Sequence, residues 1–70
     1  MEKVRINTEY IKLDQFLKWA GACDNGAMAK SFIQDGFVRV NDNVELQRGK
    51  KLRNGDIVEF DQKKYEVVQE

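Results

Sequence analysis

The apolar residues of this chain change their period at Gly36, and few folds accommodate such a change within 70 residues. Before Gly36, Leu13, Phe16, Leu17 and Ala20 recur at i, i+3, i+4 and i+7, which places them on one stripe of a helix that Gly21 can end. Ala29, Phe32 and Ile33 repeat the spacing in a second helix, with Asp24 or Asn25 as its N-cap and Gly36 as its stop. After Gly36 the period is two. Strand-like residues 37–40 and 44–46 flank Asn41, Asp42 and Asn43, which tolerate the left-handed backbone of a tight hairpin. Residues 47–54 read as a charged loop. Gly55 and Asp56 then turn the chain into a strand at 57–60, and residues 61–64 lead through another hairpin to a last strand at 65–68. At the other end, Val4 and Ile6 alternate with Lys3 and Arg5 in a short strand with one buried face. The expected fold is α+β: a short helix pair packed on a small antiparallel sheet, in one domain covering residues 1–70.

Residue types exclude most catalytic chemistries. The chain has no His, and Cys23 is its single thiol, so no Cys-His pair, Ser-His-Asp triad, or His or multi-Cys zinc site can be assembled. No catalytic residue, metal or cofactor is expected. Cys23 reads as a small buried apolar residue at the turn between the helices. Asp14 reads as a partner of a helix dipole and Asp56 as a turn residue, rather than as an acid-base pair. One cysteine cannot form an internal disulfide, and no stretch of 18 apolar residues occurs. The expectation is a cytoplasmic protein with no membrane partner.

Lys and Arg together number 12, as do Asp and Glu, so the formal net charge is zero. A uniformly basic surface is ruled out, and any polyanion must be met by charges gathered on one face. The chain does gather them. Arg48, Lys50, Lys51 and Arg53 fall within residues 47–53 with no acid among them, whereas residues 57–70 carry Glu59, Asp61, Glu66 and Glu70 against Lys63 and Lys64. On a wheel of about 100° per residue, Lys12 and Trp19 lie within about 20° of each other, on one flank of the first apolar stripe. Lys30 flanks the second stripe on the side of Gly26, where a helix start offers free N–H groups to an anion. Trp19 beside cations would suit an unstacked base, but in a domain this small it reads rather as a partly buried rim residue.

Several segments, in order and without a gap, resemble one family. They are Lys12-Leu13-Asp14-Gln15-Phe16-Leu17, Gly21, Asn25-Gly26-Ala27-Met28-Ala29-Lys30, Phe32-Ile33, Gly36-Phe37-Val38-Arg39-Val40-Asn41 and Gly55-Asp56-Ile57-Val58. Together they resemble the RNA-binding domain named after small-subunit ribosomal protein S-four, over about residues 12–60. The short extensions at either end are like those of its small stand-alone bacterial members, the YaaA-like and YbcJ-like type. The resemblance implies an alpha-L motif, a helix pair on a small sheet, with RNA bound across the helices and the adjoining loop. By position, Lys12, Asn25 and Lys30 match family positions suited to RNA contact. The chain departs from the family in having Asn25-Gly26 where most members have Ser-Arg, and Asp42 where Gly is usual. Its basic loop lies where many members carry Pro and small polar residues.

The expected function is non-catalytic binding of structured RNA, ribosomal RNA or tRNA, on or around the ribosome, by a monomer. The expected contacts are Lys12, Lys18, Asn25, Gly26 and Lys30 from the helices, extended by Arg39, Arg48, Lys50, Lys51 and Arg53. The alternative is a protein-interaction adaptor in which the same cations meet acidic residues of a protein.

Overall fold

A computed structural model describes residues 1–70. The elements in chain order are β1 (Glu2–Ile6), β2 (Ile11–Lys12), α1 (Leu13–Trp19), α2 (Gly26–Gln34), β3 (Val38–Val40), β4 (Asn43–Val44), β5 (Lys51–Leu52), β6 (Ile57–Phe60) and β7 (Lys63–Gln69). Both helices stop where the glycines predict. The N–H groups of Gly21 and Ala22 donate to the carbonyls of Lys18 and Leu17, and those of Gly36 and Phe37 to Ile33 and Phe32. These are two Schellman motifs, with Gly21 at φ +79° and Gly36 at φ +85°. Asn25, rather than Asp24, caps α2, its side-chain oxygen accepting from the Met28 N–H at 2.8 Å.

Five strands form a sheet in the order β1-β7-β6-β3-β4, and β2 and β5 form a separate two-stranded ladder. The main sheet is mixed, not antiparallel throughout, because β1 and β7 pair in parallel, with Val4 beside Val67. Alternation in the sequence says which face of a strand is buried but not its direction. The helices lie between β1 and the rest of the sheet in sequence, so they supply the long connection that a parallel pair needs. Two hairpins are two-residue turns with left-handed backbone, at Asn41-Asp42 and at Asp61-Gln62. The second is tighter than the pattern suggested, so β7 already begins at Lys63. β4 is shorter than expected, and Leu46 lies outside it, exposed.

Alternation then sorts the sheet into two faces. Val4, Ile6, Val38, Val40, Val58, Phe60, Tyr65 and Val67 point to the helices and join Leu13, Phe16, Leu17, Ala29 and Ile33 in one core. Phe16 meets Tyr65 edge-on, with ring centroids 6.3 Å apart. No charged or polar residue is buried. No helix is long and apolar enough to cross a membrane.

Residues 47–54 are more than a charged loop. Leu52 is fully buried in the core, and β5 pairs with β2 so that Ile11 lies opposite Leu52 and Lys12 opposite Lys51. Burying one leucine contributes about 2 kcal/mol, enough to hold a short segment against the domain. The same segment caps α1. A seven-residue helix is too short to persist alone, and Lys12 at its N-cap makes no side-chain capping bond. Instead the Leu13 and Asp14 N–H groups donate to the carbonyls of Lys50 and Arg48, at 2.9 and 3.1 Å.

Candidate nucleic-acid interface

The β2–β5 ladder gathers cations that are far apart in sequence. Lys12 and Lys51 occupy directly opposed positions and both are exposed. Like charges so placed cost stability, because nothing between them neutralises either. The carbonyls that hold α1 come from Arg48 and Lys50, so those residues also lie at the start of this helix. Both residues are exposed, so with Lys12 and Lys51 they bring four cations to the segments at the positive end of α1. None of the four stands in an ion pair. Arg53 differs, since its guanidinium lies 3.4 Å from the Glu9 carboxylate.

Tyr10, absent from the expected site, lies under this cluster. The Lys51 ammonium is 4.8 Å and the Arg53 guanidinium 5.6 Å from its ring centroid. These cation–π contacts hold two long side chains against one ring. The sequence carried a weak signal for it, an aromatic directly before Ile11-Lys12.

The other expected contacts divide by position. Lys18 is exposed on α1 and, with Ile11, Gln15 and Trp19, lines a shallow hollow of about 290 Å³. Trp19 is not a partly buried rim residue: it is 65% exposed. It projects from α1 near the edge strand β1, and its indole N–H donates to the Arg5 carbonyl at 2.8 Å. At the start of α2, the Asn25 oxygen is engaged in capping, which leaves its amide nitrogen outward. Gly26 has no heavy atom within 4 Å of where a Cβ would sit, so the approach to this helix end is open. Lys30 is exposed one turn further on. Arg39 stands apart. It alternates with buried Val38 and Val40, so it projects from the sheet face away from the helices, in register with Glu59.

Cys23 is buried, and burial, with Asp24 adding, pushes its thiol above the ordinary range, away from the reactive thiolate. Burial also raises the Tyr65 phenol, with Glu2 and Asp61 reinforcing the shift. Asp56 accepts from the Arg53 N–H at 2.8 Å and the Asn41 amide at 3.0 Å, which ties two turns together.

The S4 domain model matches residues 4–68, nearly the whole chain. The chain belongs to the S4 domain family. The match extends beyond the expected 12–60 to take in most of β1 and β7, the strands that the parallel pairing joins. The chain is 47% identical over 58 residues to the Probable ribosome maturation protein RlbA of Bacillus subtilis (strain 168), covering 83% of this chain and 82% of that one. YbcJ from E. coli, whose solution structure reveals an alfaL motif involved in RNA-binding, superposes with a TM-score of 0.74 at 30% identity, over 97% of this chain and 87% of YbcJ. The 30S ribosomal protein S4e from Thermoplasma acidophilum has the same fold over 86% of this chain and 32% of its own, with a TM-score of 0.65 at 16% identity.

Proposed function

We propose that this S4-domain chain is a non-catalytic RNA-binding protein that takes structured RNA, ribosomal RNA or tRNA, on or around the ribosome. The observation that carries the reading is the opposed pair Lys12 and Lys51, which with Arg48 and Lys50 presents unneutralised cations at the positive end of α1. Phosphates are the ligands such a patch suits, since each one neutralised releases a condensed counterion. Lys18, Lys30, the Asn25 amide and the Gly26 backbone extend the surface along the helices, and Arg53 adds a cation partly engaged with Glu9. Arg39 lies on the other side of the sheet and contributes only if an RNA wraps around the domain. The names of the B. subtilis relative and of the E. coli structure support ribosomal and RNA partners.

The test is salt dependence. With four to six phosphates neutralised, the logarithm of affinity for ribosomal RNA falls against the logarithm of salt concentration with a slope of roughly −3 to −5. Replacing Arg48, Lys50 and Lys51 together by Ala reduces that slope by about 2 to 3. A flat dependence, or an unchanged affinity in the triple variant, overturns this surface.

One feature favours a protein partner as the second reading. Phe37, Val44 and Leu46 are exposed on and beside the β3–β4 edge. A complex formed through that edge survives nuclease treatment of a cell extract, whereas an RNA-dependent complex falls apart.

A further inference from the structure

Trp19 is the most exposed aromatic residue of the chain. Its ring is 65% exposed, although a domain of this size has few aromatics to bury. It is nevertheless held in place. Its single polar atom, the indole N–H, is fixed to the Arg5 carbonyl at 2.8 Å, so the ring hangs from strand β1 as well as from α1. Beside it the surface is hollow in two directions, a depression of about 290 Å³ toward Lys18 and one of about 270 Å³ toward Ile6, Asn7 and Thr8. Ile11 and Gln15 line both, so the ring borders one continuous trough.

The chemistry of the trough is specific. Ile11 provides an apolar floor. Neither the Gln15 nor the Asn7 side chain is engaged in a hydrogen bond, and both residues are exposed, so two amides are available as donors and acceptors. Lys18 supplies a positive charge at one wall. Ile11, which lines the trough, is followed in the chain by Lys12 of the β2–β5 ladder, although no ladder cation lines the trough itself.

We propose that Trp19 is a stacking platform for one unpaired nucleobase of the bound RNA, whose flanking phosphates lie on Lys12 and Lys18. The assignment rests on the RNA-binding reading and adds a requirement to it: the RNA must offer a base outside its helical stack. A flat ring on an indole is favourable whatever the base, and a fixed indole loses little freedom when a base lands on it. The Gln15 and Asn7 amides then meet the edge of that base. An unstacked base is favoured over an acidic peptide by the trough itself, which combines an aromatic wall and an apolar floor with neutral amides and a single lysine.

Trp19 is the chain's sole tryptophan, so its emission reports on this position alone. The experiment titrates the protein with two RNA stem-loops, one fully paired along its stem and one carrying a single bulged adenine. The bulged stem-loop quenches Trp19 emission at saturation and the paired one binds with little change. Trp19→Ala weakens the bulged stem-loop roughly ten-fold and leaves the paired one unaltered, while Trp19→Phe keeps most of the affinity because it retains a stacking face. Unchanged emission in the unmodified protein at saturation with the bulged RNA overturns the platform. So does an equal loss of both RNAs in Trp19→Ala. Failure of both RNAs to bind at all overturns the RNA-binding reading itself, a different result from binding without discrimination.

Discussion

Two regions of this small domain carry comparable numbers of cations and arrange them in opposite ways. On the outer face of the main sheet, register sets three cations beside acids: Lys3 lies beside Glu66, and Arg39 and Lys64 lie on either side of Glu59. Arg5, on the edge strand, reaches Glu70 at 3.9 Å. In the β2–β5 ladder the register sets Lys12 against Lys51, and no carboxylate closes on either. The same residue types thus have acids as cross-strand neighbours on one face and a like charge on the other, although on the sheet only Arg5 closes an ion pair within 4 Å. A net charge of zero conceals this, because the acids that balance the ladder's lysines sit elsewhere in the chain, among them the exposed Asp24, Asp35 and Asp42. What decides whether a lysine can serve a polyanion is its cross-strand neighbour.

The largest effect on that contrast comes from Leu52, which fastens the basic segment to the core. Leu52→Ala removes a fully buried side chain and costs about 2 to 5 kcal/mol. Chemical denaturation measures the loss. Hydrogen exchange sharpens it: the Leu13 and Asp14 amides, held by the Lys50 and Arg48 carbonyls, lose protection more than those of β6 and β7. Equal loss everywhere would mean that the ladder is not a separable part of the fold.

Much of the scaffold for this contrast was legible in the sequence, and the reasons are local. Gly21, Gly36, Asn25 and the Asn41-Asp42 pair each encode a backbone state that few other residues accept, and each does what its chemistry dictates. The stripe of Leu13, Phe16 and Leu17 also faces the core as its spacing requires. The ladder was not legible. Two residues pairing with two others forty positions away leave no period, and Leu52 is a lone apolar residue among cations. Gln62 adopts φ +64° without a residue type that signals it. Trp19 was misjudged because a wheel gives direction relative to a stripe, but not whether another element covers that direction. For Arg39 the signal was present: alternation with Val38 and Val40 already places it on the far face from the helices.

Next in size is charge reversal. Lys12→Glu with Lys51→Glu removes two unpaired cations and installs two anions, and lowers affinity for ribosomal RNA by roughly 30-fold at moderate salt. Reversing Arg39 and Lys64 on the sheet changes it by less than about two-fold, because both begin beside Glu59 and away from the helices. Filter binding of the two double variants at one salt concentration compares them directly. Equal losses would mean that RNA reads the whole charge of the molecule, and the distinction between the two faces would have no functional content.

The smallest effect is the most discriminating, because it runs against the usual direction of mutation. Lys12 occupies an N-cap with no capping bond, at the positive end of a helix and directly opposite another lysine. Each circumstance is mildly unfavourable, and each belongs to the same side chain. Lys12→Thr relieves all three: Thr is a preferred N-cap, carries no charge against the helix dipole and leaves Lys51 unopposed. The gain is limited to about 0.5 to 1 kcal/mol, because the Leu13 and Asp14 N–H groups already have carbonyl partners. The expected result is a higher melting temperature together with weaker RNA binding in one substitution. Lys3→Thr on the sheet provides the reverse comparison, as it takes a lysine from beside Glu66, does not raise the melting temperature and leaves RNA affinity as it was. A local cost retained only where it leaves a cation unpaired is what selection for a polyanion at this ladder requires. If Lys12→Thr lowered stability and left RNA affinity intact, Lys12 would be a structural residue, and the opposed pair would lose its place at the centre of the binding surface.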